Sequence, residues 1–410
     1  MVRVLELTRQ VKEQGLNYEA IDIREVEDQV DEYGYGEAEF RFRDDVYCVD
    51  DVRGGHLPME LVRSARQKEM EEFAARRVYQ SRPRWEATAS GSKVIGVRLV
   101  DTAKADKVRS RLVAQDFNTD RGKVDELFAA TPPLLAARCL CSRAASQGIR
   151  GQGSQTLMTL DFSKAFLYGN VSRDVYIELP DEDSMKGDAD VVGKLVKSMH
   201  GLRDAPQIWQ KVVRDMLEQR GYKALLGTQC TYVHKVTGVA IVAHVDDFLV
   251  LGTEMQLREL IASLQAEYEC TGRILGRGKD VQPELKFLGR TITLEQNGIA
   301  WEGDKCHVKS FFEKLSEEFM DVEEGKKCRL KGAKTPGVKQ DHLPERISLN
   351  PVKSKAYRGL VALANFVAQD MADIGYAAKE VSKHMSEPAE CDVLPLKRLG
   401  RYLAENPRLL

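Results

Sequence analysis

The stretch Val239-Ala-Ile-Val-Ala-His-Val-Asp-Asp-Phe-Leu-Val-Leu-Gly252 constrains this chain more than any other. Two adjacent carboxylates, Asp246 and Asp247, interrupt an apolar run that holds Ile241, Val242, Val245, Phe248, Leu249, Val250 and Leu251. Apolar runs of this length read as short buried strands, here two, with the Asp pair at the tight turn between them. Like charges side by side near a core repel, so at least one resists ionising unless a cation neutralises it. Hard oxygen ligands of this kind suit magnesium. The competing reading is an ordinary surface turn, since turns favour Asp. A second strand-like run, Thr156-Leu-Met-Thr-Leu-Asp161, ends on a third carboxylate. One Asp at a strand end, opposite a hairpin tip carrying two, is what a two-metal phosphoryl-transfer site requires. Whether the two segments meet is a question for the structure.

With 410 residues the chain is long enough for two or three domains, and 43% apolar content supports a sizeable core. The net charge of -2 hides an asymmetry: residues 1–60 carry 16 acidic and 7 basic side chains, which leaves +7 for residues 61–410. A basic bias on the folded part fits a polyanionic partner. The eight cysteines are scattered, with no C-x-x-C pair, and the Cys306-His307 doublet reads as structural rather than ligating. Free thiols point to a reducing compartment. No run of eighteen apolar residues exists, so no membrane span is expected. Residues 1–45 are acidic, lack sustained periodicity and contain Tyr33-Gly-Tyr-Gly36, and they read as a poorly ordered leader or linker.

From Leu57 to Tyr79 apolar residues recur at helical spacing. Lys93–Val100 and Val108–Ala114 read as a hairpin on which Arg109 and Arg111, two apart, share a face. Paired guanidinium groups could clamp a triphosphate, or they could simply form the solvent side of a strand. Thr131-Pro-Pro133 breaks the chain, and a helix over 134–148 follows. Asp174–Pro180 reads as a short strand and 181–190 as a polar insert. Gly201 allows close approach of backbone to a ligand, and Pro206 opens a helix through Trp209 and Met216. Further on come a helix over 254–268, a strand over Leu285–Thr293 that contains Gly289, and helices at 357–385 and 391–404, the former broken near Asp373-Ile-Gly375.

Taken in order, these segments resemble the reverse transcriptase of copia-type LTR retrotransposon polyproteins. The residues that carry the resemblance are Arg109-Ser-Arg-Leu-Val-Ala-Gln-Asp-Phe117, Leu160-Asp-Phe-Ser-Lys-Ala-Phe-Leu-Tyr-Gly169, Val175-Tyr-Ile-Glu-Leu-Pro180, Met199-His-Gly-Leu-Arg-Asp-Ala-Pro206, His244-Val-Asp-Asp247 and Phe287-Leu-Gly289. Tyr357-Arg-Gly-Leu-Val and Leu396–Leu403 also look like that family's downstream segments. The resemblance implies an α+β right-hand polymerase: an N-terminal helix and fingers over 46–130, a palm over 131–300 with an inserted fingers segment at about 170–210, and a helical thumb with the start of the connection over 301–410. It implies an RNA-directed DNA polymerase working on deoxynucleotides and a primed RNA or DNA template. Asp161, Asp246 and Asp247 would hold two magnesium ions, or manganese. Arg109, Arg111, Phe162, Phe166, His200, Gly201 and Arg203 would face the nucleotide, with Phe166 excluding a 2′-hydroxyl. Phe287, Leu288 and Gly289 would grip the primer.

Two positions depart from the family pattern: His244 and His200 stand where tyrosine is usual. No protease or integrase motif is present, and the chain stops where that family normally continues into ribonuclease H. These features motivate an alternative reading, a catalytically dead nucleic-acid-binding relic of a truncated polyprotein. A two-metal nuclease is a third reading, and the Arg pair and the helical C-terminal third argue against it.

Overall fold

The computed structural model describes residues 48–104, 107–117, 129–146, 154–183, 190–320, 332–338 and 344–406. The expected leader at 1–45 and the middle of the polar insert lie outside them. The chain divides into two units, one formed by residues up to Ala130 together with Lys164–Arg220, the other by Thr131–Ser163 and Gly221–Leu410.

Strand alternation builds the second unit. Its six-stranded antiparallel sheet runs in the order Tyr222–Leu225, Thr228–His234, Ala240–His244, Asp247–Thr253, Gln155–Phe162, Cys270–Ile274. The central strands are almost wholly apolar because both faces are covered. On one face Leu157, Val242, Leu249 and Leu251 pack with Ala137, Leu140 and Ala144 of the helix Leu134–Ser146. That core also takes in Leu285, Phe287, Ile292 and Trp301 from a three-stranded sheet of Glu284–Phe287, Arg290–Leu294 and Ile299–Gly303. On the other face the helix Glu254–Gln265, started by a Thr253/Gln256 capping box, brings Ile261 over Gly272, where Leu160 and Met158 also approach. The helices Lys305–Phe319, Pro351–Ala368, Gly375–Ser382 and Glu390–Glu405 close around Phe311, Leu315, Tyr357, Leu360, Leu396 and Leu399.

The expected strand over Leu285–Thr293 is two strands. Leu288 (φ 49°) and Gly289 (φ 70°) turn the chain between them, because two consecutive left-handed residues make the two-residue hairpin that matches strand twist.

In the first unit Val97–Lys104 pairs with Lys107–Ala114, Val100 opposite Arg111 and Thr102 opposite Arg109. The sequence placed the hairpin's first strand at Lys93–Val100. Instead Val94–Ile95 belongs to a different sheet, alongside Tyr176–Ile177, and the strand that begins at Val97 continues through Asp101. Asp101 can sit there, only 2% exposed, because Arg66 of the helix Met59–Ala75 reaches it at 2.7 Å. Val94–Ile95, Tyr176–Ile177, Val191–Leu195 and Tyr79–Pro83 form a four-stranded sheet, and the helix Ala205–Gln219 starts with Pro206 in its first turn. Among the described residues no helix is long and apolar enough to cross a membrane, and every cysteine is free.

Candidate active site

In the second unit the sheet register brings the three carboxylates together. Asp247 lies directly opposite Asp161 on the neighbouring strand, and His244 lies directly opposite Asp247 on its other side. Thr271 pairs with Asp161 from the far strand. Side chains of directly opposed residues share a face, so Thr271, Asp161, Asp247 and His244 form one row across four strands. Asp246 sits in the turn itself, its carbonyl accepting from the Phe162 amide at 3.3 Å. The doublet is therefore split: Val245 and Asp246 make the turn, and Asp247 opens the next strand.

Val245 takes φ 53° in that turn. A β-branched residue pays a steric cost in the left-handed region, which strand ends normally assign to glycine. The strain fixes how Asp246 leaves the sheet.

The electrostatics suit a cation. The Asp247 carboxyl is pushed up to about 6, by burial first and then by Asp246 and Asp161. Among the described residues no lysine or arginine pairs with any of the three. An all-oxygen donor set with mutual repulsion and no cationic side chain fits a hard divalent ion. Among the described residues only Asp304, Cys306 and His307 bring three ligand atoms within 4.8 Å of one another. Asp161, Asp246 and Asp247 do not form such a set of three. Asp304 is occupied as the helix N-cap, accepting from the Cys306 amide at 2.9 Å, in keeping with a structural role for that doublet.

Phe162 is 1% exposed, its ring tilted against Phe248 (centroids 4.9 Å apart) and edge-on to Tyr268, so it packs in the core on the sheet face opposite Asp161. Phe287 is likewise 1% exposed and belongs to the core, which leaves the Leu288-Gly289 backbone to present the hairpin tip.

In the first unit a separate basic cluster forms. Arg109 and Arg111 occupy one strand face while Ser110, Leu112 and Ala114 are buried on the other. Arg109, Arg111 and Lys164 lie close enough to His200 to act on it. Burial first, then Arg111, Arg109 and Lys164, lower its imidazole from 6.5 to about 4, so it is neutral at physiological pH. The ring of Phe166, in the 3-10 turn Ala165–Tyr168, meets His200 edge-on with centroids 4.9 Å apart. Sequence reading passed over Lys164. It takes φ 52° and reaches Glu69 at 3.1 Å, and a charged residue three places after Asp161 was the available signal.

Gly201 does allow close backbone approach, but the partner is protein. At φ 86°, a Cβ there would come within 2.0 Å of the Ala114 carbonyl oxygen, and the Ala114 amide donates to the His200 carbonyl at 2.8 Å. The Arg203 amide donates to Asp116 at 3.1 Å, and Arg173 bridges Asp116 and Asp204.

Residues 85–330, more than half of the chain, match the family model described as reverse transcriptase (RNA-dependent DNA polymerase). The chain is 23% identical to a retrovirus-related Pol polyprotein from transposon TNT 1-94 of Nicotiana tabacum, over 85% of this chain and 26% of that polyprotein. It is 25% identical to the Pol polyprotein from transposon RE1 of Arabidopsis thaliana over 77% of this chain and 20% of that one. It is also 26% identical to the transposon Ty1-DR1 Gag-Pol polyprotein of Saccharomyces cerevisiae over 56% of this chain and 13% of that one. The chain thus spans about a quarter or less of these relatives' length. With its carboxylate row laid across a sheet and a family match covering most of both units, this chain belongs to the reverse transcriptase family of retrotransposon Pol polyproteins.

Proposed function

We propose that this chain is a right-hand, RNA-directed DNA polymerase that transfers deoxynucleotides to a primer 3′-hydroxyl on an RNA or DNA template. The observation that carries the reading is the pairing of Asp161 with Asp247 across adjacent strands, beside Asp246 in a strained turn. Asp161, Asp246 and Asp247 are the ligands for magnesium, or manganese. Bound there, such an ion neutralises charge at the attacking and leaving oxygens.

The remaining parts are this chain's own. Arg109 and Arg111 receive the triphosphate, where planar guanidinium groups bind phosphate oxygens bidentately. Phe166, held edge-on by neutral His200, presents an apolar surface that disfavours a 2′-hydroxyl. The Leu288-Gly289 tip contacts the primer, and contacts to template phosphates make binding salt-sensitive. In these terms Leu134–Ser146 and the six-stranded sheet are palm, the Arg109 hairpin fingers, and the helices after Lys305 thumb.

Primer extension tests the proposal. Wild type extends a primed template with deoxynucleotides in proportion to added magnesium, and Asp246→Asn lowers the rate by on the order of 10²–10³, the usual loss when one preorganised charge is removed. Undiminished extension by Asp246→Asn would rule out this site. Salt-dependent template binding with no extension at any magnesium or manganese concentration would leave only the nucleic-acid-binding relic.

A further inference from the structure

Apart from the carboxylate row, a buried polar cluster of the second unit surrounds Asp370, just past the end of the helix Pro351–Ala368. Asp370 is 4% exposed. Its Oδ1 accepts from Trp301 Nε1 at 3.0 Å and from Arg138 Nη2 at 2.9 Å, and its Oδ2 accepts from Arg290 Nε at 3.0 Å. Arg290, 5% exposed, spends its other nitrogens on the Leu288 carbonyl at 2.7 Å and on Gln369 Oε1 at 3.2 Å, and its guanidinium lies 4.7 Å from the Phe366 ring centre. One guanidinium thus holds both the backbone of the left-handed Leu288 and the end of a helix 80 residues away. Burying two opposite charges is costly, and for stability alone an apolar pair would serve as well. What an apolar pair cannot do is fix a carbonyl's direction in a turn.

We infer that Arg290 and Asp370 are positioning residues that set the Leu288-Gly289 tip against the helical C-terminal part, so that the tip can hold a primer end. The inference rests on the polymerase reading. Arg290 aims the turn, and Asp370, braced by Arg138 and Trp301, aims Arg290. Neither touches the reacting atoms.

The test uses the full chain with Arg290→Lys and Asp370→Asn. Lysine keeps the charge but cannot bond Leu288, Asp370 and Gln369 together. Asparagine keeps the shape but turns a donor toward donors. Melting confirms folding, anisotropy of a labelled primer–template gives its Kd, and single-nucleotide incorporation gives the deoxynucleotide KM. Expected is a primer–template Kd raised about tenfold in both variants with the nucleotide KM changed less than about twofold, a split that a merely loosened fold does not produce. If Asp370→Asn fails to fold, Arg290→Lys carries the test. Folded variants with wild-type primer–template affinity overturn the inference, as does equal weakening toward primer–template and nucleotide. Asp246→Asn separates the two claims: if it extends normally the polymerase site is lost, whereas the affinity arm judges the tether without any extension.

Discussion

At the scale of single residues, the candidate site holds both a strained backbone and a carboxyl raised by burial and like charge. Val245 holds a backbone conformation that costs on the order of 1–3 kcal/mol for a residue of its kind. Val245→Gly is expected to raise the melting temperature while slowing extension, because the turn that carries Asp246 gains freedom; thermal melts and primer extension check both. Asp247→Asn removes a carboxyl that burial first, and then Asp246 and Asp161, push up to about 6. In metal-free protein it should add about 1 kcal/mol after allowance for solvent screening, while abolishing the response to magnesium. His200 sets a pH dependence. Its folded-state value of about 4 lies below the ordinary 6.5, so between these the unfolded chain takes up a proton that the folded chain does not. Stability therefore falls as pH drops through that window, and His200→Gln should shrink the difference between urea midpoints at about pH 7 and about pH 5.

At the scale of elements, close packing sets the tolerances. A Cβ on Gly272 would come 2.2 Å from Ile261 Cδ1, so the strand Cys270–Ile274 and the helix Glu254–Gln265 leave no room for a methyl group. Gly272→Ala should destabilise by about 1–3 kcal/mol, and trimming Ile261 to Val in the same chain should restore part of it, as denaturant midpoints will show. These strands and helices were largely legible in the sequence, because alternation and helical spacing are local signals. Leu257, Leu260 and Leu264 announced a helix face that is indeed buried. What misled was also local: Gly96 and Gly289 sit inside apolar runs, and a run does not show that a glycine breaks it into strands of different sheets or into a hairpin. Phe162 and Phe287 illustrate a second limit. A motif marks neighbours of a site without saying which side chain faces it, and alternation turns these two rings into the core.

At the scale of the whole molecule, the meeting of Asp161 with Asp247 was anticipated from the two strand ends, whereas the Arg290–Asp370 and Arg138–Asp370 bonds, spanning 80 and 232 positions, carry no sequence signature. An isolated Asp in a helical stretch reads as surface until its partners are placed. The surplus of positive charge beyond residue 60 leads to a further prediction. Primer–template affinity should fall steeply and log-linearly with salt, and a filter-binding series in Asp246→Asn should keep the slope of wild type, since that carboxylate makes no phosphate contact.

The division of the chain has a consequence for its inheritance. The backbone passes from one unit to the other after Ala130, after Ser163 and after Arg220. A single cut can therefore free neither unit alone: a chain stopped after Arg220 keeps the first unit but carries Thr131–Ser163 without the strands that segment pairs with. A chain that stops before Asp247 keeps Asp161 but loses the strand opposite it, so the carboxylate row survives only where both segments are carried together.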